Sequence, residues 1–390
     1  MNIQLINHQG NRYSYSMTAK ALAAPPSTPN FNRIVYSAAH VVSNPLATAD
    51  PWINTPLDWE ATIAYRRYLW SLGFGVAEAM DTAQRGMGLD WTNSLELIQR
   101  TLIAAKDYPN ALVASGCGTD HLEVDQVKSV DDVIRAYEYQ MESIEALGGK
   151  LIIMASRALV KVAKSSDDYE KVYARIISQA KQPVILHWLG DMFDPALKGY
   201  WGHQDLDKAT QTALDIIHAY KTKVDGIKVS LLDKHREINM RRRLPVGVRM
   251  YTGDDFNYPE LIAGDGVGTE TVHQQSDALL GIFDAIAPTA SHALSQLARG
   301  NSAGFMQTLE PTLALSRHIF QAPTRFYKTG VVFMAWLNGH QSHFSMVGGQ
   351  QSTRSVQHLC DLFVLADKAG LFLNPEQAHG RMQAYLNVHT

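Results

Sequence analysis

Cysteine is nearly absent: Cys117 and Cys360 are the only two in 390 residues, too few for a disulfide framework in a chain this long. A reducing, cytoplasmic compartment is the default expectation. An excess of charge of one sign is also missing. The formal net charge is -3, and the only dense basic run, Arg241-Arg242-Arg243, reads as a solvated helix end, so no nucleic-acid partner is expected. No stretch approaches the ~18 to 20 consecutive apolar residues that span a bilayer. The opening MNIQLINHQGNRYS lacks the apolar core of a secretory leader, so no membrane partner is expected either. Several chemical signatures are absent as well. There is no phosphate-cradling GxxxxGK(S/T) loop, no strand–GxGxxG–helix unit and no HExxH pair. GDGVG, residues 264–268, falls late in the chain, where a dinucleotide fingerprint does not belong.

What is present is alternation. Apolar residues make up 46% of the chain, enough for a large core, and from Asn32 onward short apolar runs alternate with longer amphipathic stretches. That pattern predicts a parallel sheet with crossover helices. The expected strands are 33–39, 74–80, 111–116, 150–156, 183–188, 224–230, 245–251 and 265–270. The expected helices between them are 58–72, 90–106, 129–147, 166–181, 205–221, 231–242 and 254–263. Asp58 and Ser129 stand where N-caps should. Strands in this number favour closure, which removes unpaired edges. The fold expected is therefore an α/β (β/α)8 TIM barrel over 31–288. A short N-terminal hairpin and linker (1–30) precede it, and a C-terminal helical extension (289–390) follows. Extra helices are expected at 272–287, 289–299, 302–319, 322–338 and 353–369.

In such a barrel the reactive groups sit at strand C-termini. Those positions hold His40, Glu78, Asp81, Asp120, His121, Arg157, His187, Lys228, Asp254 and Asp255. Lys228 is the most informative. Alternation along VDGIKVS puts Gly226, Lys228 and Ser230 on one face and Ile227 and Val229 on the other. If the apolar pair meets the helices, the lysine points into the barrel, where burial lowers its pKa and frees a nucleophilic amine. The plainer reading is an ion pair with Glu78 or Asp254. Cys117, in SGCGTDH, reads as small packing.

The order and spacing of DWEATIAYRRYLWSLGF, PVILHWLG, VDGIKVS, TGDDFNYPELIAGDGVG and QAPTRFYKTGVVFMAWLNG resemble the dihydrodipicolinate synthase / N-acetylneuraminate lyase family over roughly residues 31–340. More narrowly, the chain resembles a branch of that superfamily grouped as a domain of unknown function. The resemblance implies a (β/α)8 barrel with a helical extension, a homo-oligomer, and lyase or aldolase chemistry through a Schiff base on Lys228 of GIK. Two departures stand out. Where the family carries a Gly-Thr-Thr-Gly-Glu loop that holds a keto acid's carboxylate, this chain reads Ala79-Met80-Asp81-Thr82-Ala83-Gln84-Arg85. An acid there argues against pyruvate. Where the family carries a proton-shuttling tyrosine on the fifth strand, this chain has His187, followed by Trp188.

The expectation is a class I lyase or aldolase acting on a keto sugar or small keto compound, with no cofactor, because the imine itself is the electron sink. Lys228 forms the imine and His187 moves protons. Glu78, Asp81, His121, Arg157, Asp254 and Asp255 bind and orient the substrate. Two alternatives stand beside it. Glu78, Asp81, His121 and His187 could converge on Zn2+ or Mn2+ in an isomerase, epimerase or hydrolase. The barrel could also bind a metabolite without turnover.

Overall fold

In the computed structural model, residues 1–50, 53–266 and 274–390 are described. A two-stranded antiparallel hairpin, β1 (Asn2–Ile6) and β2 (Arg12–Ser16), precedes the barrel. The barrel strands are β3 (Val35–Ser37), β4 (Gly75–Glu78), β5 (Val113–Cys117), β6 (Lys150–Ile153), β7 (Val184–Leu189), β8 (Val224–Ser230), β9 (Arg249–Thr252) and β10 (Asp277–Leu280). They close in the order β10-β3-β4-β5-β6-β7-β8-β9 with every pairing parallel. The expected (β/α)8 barrel is present.

The connecting helices are α1 (Trp59–Ser71), α2 (Thr82–Arg85), α3 (Trp91–Ala105), α4 (Val130–Ala146), α5 (Arg157–Val162), α6 (Ser166–Gln179), α7 (Leu206–Ala219), α8 (Lys234–Arg241) and α9 (Tyr258–Ala263). Their starts are set by side chains that take up free first-turn amides. The Asp58 carboxylate accepts from Ala61 N, and Ser129 with Asp132 forms a reciprocal capping box.

The eighth strand lies later than expected. Of the segment 265–270, residues 267–270 fall outside the described residues, and Asp265 and Gly266 are not in a strand. The strand is Asp277–Leu280, inside a segment that reads as a helix. Its four residues run through Gly281 into α10 (Ile282–Ala298), so DALLGIFDAIA presents one apolar run that periodicity alone assigns to a helix. Beyond it come α11 (Ser302–Leu309), α12 (Leu313–Ile319), α13 (Tyr327–Leu337), α14 (Val356–Ala369) and α15 (Pro375–His389).

Alternation splits the strand residues into two layers. Tyr36, Ala77, Ala114, Ile152, Ile185, Tyr251 and Leu279 fill the barrel interior, while Val76, Ile153, Leu186, Ile227 and Val229 pack outward against the helices. The N-terminal end is closed by ion pairs. Arg249 reaches Asp225 at 3.0 Å and Asp277 at 3.2 Å, and the Tyr251 hydroxyl donates to Asp225 at 2.6 Å. Reactive groups at the opposite end are therefore walled off from water below.

Candidate active site

Lys228 projects from β8 on the interior face. It is paired in register with His187 on one side and Tyr251 on the other, and Tyr251 belongs to the interior layer. The residue is 7% exposed. Among the described residues no carboxylate lies within ion-pair distance of its amine. Burial is the main influence on that amine and lowers its pKa to about 8. Asp255 and Asp81 act in the opposite sense, and the Lys328 charge adds to the lowering. His187 is buried beside it. Its Nε2 lies 3.4 Å from the Ser230 hydroxyl, and its Nδ1 has no hydrogen-bond partner among the described residues. Burial, then the nearby Lys228 charge, holds the imidazole well below its usual range, so it is neutral at pH 7.

Three acids stand at the same mouth in different states. Asp255 follows β9, is 3% exposed and accepts from Ile282 N at 2.9 Å. Burial pushes its carboxyl up, while Lys228 pulls it down. Asp254 is turned into its own loop. It accepts from the amides of Phe256 and Asn257 and from Asn257 Nδ2, at 2.9 to 3.1 Å, which makes it a turn former. Asp81, just beyond β4, meets Lys328 Nζ at 2.5 Å and accepts the Tyr327 hydroxyl.

Lys328 and Tyr327 come from the first turn of α13, outside the eight strand–helix units. Lys328 is fully buried. Besides Asp81 its amine donates to the Ala38 carbonyl at 3.0 Å and lies 3.8 Å from Asp284. Asp284, on α10, holds His40 Nδ1 at 2.8 Å and accepts the His40 amide at 2.7 Å. Burial alone would raise the Asp284 carboxyl, but His40 and Lys328 hold it down to about 2. A chain of buried groups thus runs His40–Asp284–Lys328–Asp81–Tyr327, and the Asp81 and Lys328 charges within it act on Lys228. His40 stands at a strand end already in the sequence, whereas Lys328, Tyr327 and Asp284 lie outside the strand ends and were not expected there. A signal exists in YKTGVVFMAWL: one lysine in an otherwise apolar, wholly buried helix requires partners.

The remaining expected residues lie elsewhere. Glu78 faces the helical ring rather than the interior. Both its oxygens are taken by Arg66 of α1, at 2.8 and 2.9 Å, and Thr101 donates a third bond at 2.6 Å. The step from Ala77, which is interior, to Glu78 reverses the face. His121 also points outward, bonded through Nδ1 to Gln140 at 2.9 Å and packed against Tyr139. Arg157 opens α5 and pairs with Asp194 at 2.5 Å. Together with Arg85, Thr119, Asp120 and Met154 these two residues line a cavity of about 200 Å³ at the strand C-termini. Across it Arg85 pairs bidentately with Asp120, at 2.5 and 3.0 Å. Met154 also belongs to the barrel interior. The four groups expected to share a metal ion are therefore apart. Among the described residues no set of three or more His, Cys, Asp and Glu side chains is arranged to hold one. Cys117 is a buried free thiol whose pKa burial pushes up.

Over residues 3–390 the chain matches the family described as "Protein of unknown function (DUF993)". No curated protein matches it. Solved structures do. Dihydrodipicolinate synthase from Thermotoga maritima is 15% identical, with 88% of this chain and 100% of that one covered and a TM-score of 0.64. The enzyme from Aquifex aeolicus is 11% identical, with 88% and 100% covered and a TM-score of 0.63. YagE, a prophage protein of the dihydrodipicolinic acid synthase family from E. coli K12 in complex with pyruvate, is 10% identical, with 92% and 99% covered and a TM-score of 0.63. At these identities the likeness is one of fold. The chain belongs to the DUF993 family.

Proposed function

We propose that this protein is a class I lyase or aldolase that forms an imine between Lys228 and a keto sugar or small keto compound. The observation that carries the reading is an inward-facing amine at the C-terminal end of the barrel, unpaired among the described residues, with burial favouring its neutral form. The neutral amine adds to the ketone carbon, and the carbinolamine takes up a proton at its hydroxyl and loses water to give a protonated imine. That cation accepts the electron pair when the neighbouring C–C bond breaks, leaving an enamine and releasing an aldehyde. The enamine is then protonated at carbon, and water returns the amine and a second carbonyl product. His187, neutral and with a free Nδ1, is suited to take the proton from the departing hydroxyl. The cavity beside Met154 supports a hydroxylated substrate, since the Arg85–Asp120 and Arg157–Asp194 pairs offer donors and acceptors side by side. Asp81, expected to repel an anion, is instead balanced by Lys328, so the choice between neutral and acidic ketones rests with the cavity.

The test is reduction with cyanoborohydride in the presence of a panel of keto sugars, small ketones and keto acids, followed by peptide mass analysis. A substrate-sized adduct on Lys228, absent from Lys228→Ala, is expected for at least one class. An adduct confined to other lysines, or none across the panel, ends the proposal.

A further inference from the structure

Two lysines meet at one mouth, and they are disposed differently. Lys328, from the extension helix α13, is ion-paired to Asp81 at 2.5 Å and anchored to the Ala38 carbonyl at 3.0 Å. Lys228, from β8, has no carboxylate in contact among the described residues although Asp81 is within electrostatic reach. One carboxylate oxygen of Asp81 accepts the Tyr327 hydroxyl, and the other lies 2.5 Å from the Lys328 amine as an ion pair. Both partners come from adjacent residues of one helix. The groups around the Lys228 amine are His187, its register neighbour on β7, Ser230 two residues on along its own strand, Asp255 from the loop after β9, Asp81 from the loop after β4, and Lys328 from α13. Of these, Lys328 is the only other cation.

We propose that Lys328 is a positioning residue that keeps Lys228 unpaired: α13 delivers a second ammonium to Asp81, occupying the carboxylate that would otherwise close on the Lys228 amine. The Lys328 charge also disfavours a second positive charge nearby, which frees the Lys228 amine further. The C-terminal extension is thus part of the reactive site, because α13 supplies the cation that pairs with Asp81. This inference deepens the imine reading, on which its meaning for catalysis rests.

The test reads the amine without substrate. The full-length protein is labelled with trace acetic anhydride across pH 6 to 10.5, and the modified fraction of Lys228 is measured by peptide mass analysis. Lys328→Gln keeps an N–H donor for Ala38 and Asp81 but removes the charge. It is expected to raise the Lys228 midpoint by about one to three units, roughly a fivefold or greater loss of free amine at pH 8. Lys328→Arg is expected to restore the wild-type midpoint. A midpoint unchanged in Lys328→Gln overturns the proposal. If Lys328→Gln does not fold, Asp81→Asn is compared with Asp81→Asn/Lys328→Met, which carries no unpaired carboxylate. The double variant must show the higher Lys228 midpoint, and equal midpoints overturn the proposal. Midpoints that shift as stated, with no trapped adduct on any carbonyl compound, would end the lyase reading and leave this one standing. Trapping on Lys228 with no shift would do the reverse.

Discussion

A methyl group added at Gly253 would sit 2.3 Å from the Ser230 hydroxyl, 2.7 Å from the Val229 carbonyl and 2.8 Å from Lys228 Cε. Glycine there lets the β9 loop lie against the lysine shaft and so fixes where the amine points. Gly253→Ala is expected to destabilise the fold by about 1 to 3 kcal/mol through overpacking and to cut imine trapping on Lys228 severalfold. Urea unfolding and adduct yield measure the two effects, and an unchanged yield would mean that the shaft is not held by this contact. The amine's titration gives a second expectation at the same scale. Burial favours the neutral form, so below about pH 8 each unit of acidification removes roughly tenfold of the reactive amine. The rate of imine formation should rise with pH and level off above that value. A rate already level at pH 6 contradicts an amine that titrates there.

Between elements, the buried Arg66–Glu78 pair fastens α1 to β4. Both side chains are fully buried, and Arg66 also donates to the carbonyls of His40 and Thr62. Removing one partner of such a pair strands a buried charge and costs about 3 to 5 kcal/mol. Glu78→Ala is therefore expected to lower stability by that amount, read as the shift in the urea midpoint. If Glu78 instead bound substrate, the same change would raise KM and leave the midpoint in place. The turn after β4 depends on this lock. Ala79 adopts the left-handed conformation at φ 48°, its amide is held by Glu78 at 2.9 Å and its carbonyl by Arg85 at 3.1 Å. That turn carries Asp81 to α13.

Across the whole molecule the two ends of the chain are joined. Asp367 of α14 accepts from the Tyr15 hydroxyl, Thr18 N and Ala19 N at 2.7 to 3.1 Å, and β1 packs on α14 and α15. Asp367 is buried, so its loss leaves two amides and a hydroxyl without their acceptor, at a cost of about 1 to 3 kcal/mol for each group that stays buried. Asp367→Ala is expected to expose the segment after β2 to limited proteolysis while Lys228 labelling stays as in the wild type. Simultaneous loss of both would show that the hairpin is coupled to the barrel mouth. The helices that hold the hairpin belong to the same extension that supplies Lys328, so the extension serves both ends of the chain.

How much of this was legible follows from the range of each signal. Seven strands, the helices between them and the caps at Asp58 and Ser129 were readable, because period-2 and period-3.6 patterns and caps are local. The inward face of Lys228 was readable for the same reason, given that Ile227 and Val229 meet the helices. The eighth strand was not, because three buried residues joined to a buried helix through Gly281 carry no period of their own. The outward turn of Glu78 and His121 was settled by Arg66 and Gln140, partners 12 and 19 residues away in sequence. The union of Asp81 with Lys328, separated by nearly 250 residues, was decided by packing alone. The sequence by itself determined the barrel and the side of it on which the amine stands. Tertiary structure decided which charges surround that amine, because the energy of a buried ion depends on its distance to other charges in space, and spacing along the chain does not encode it.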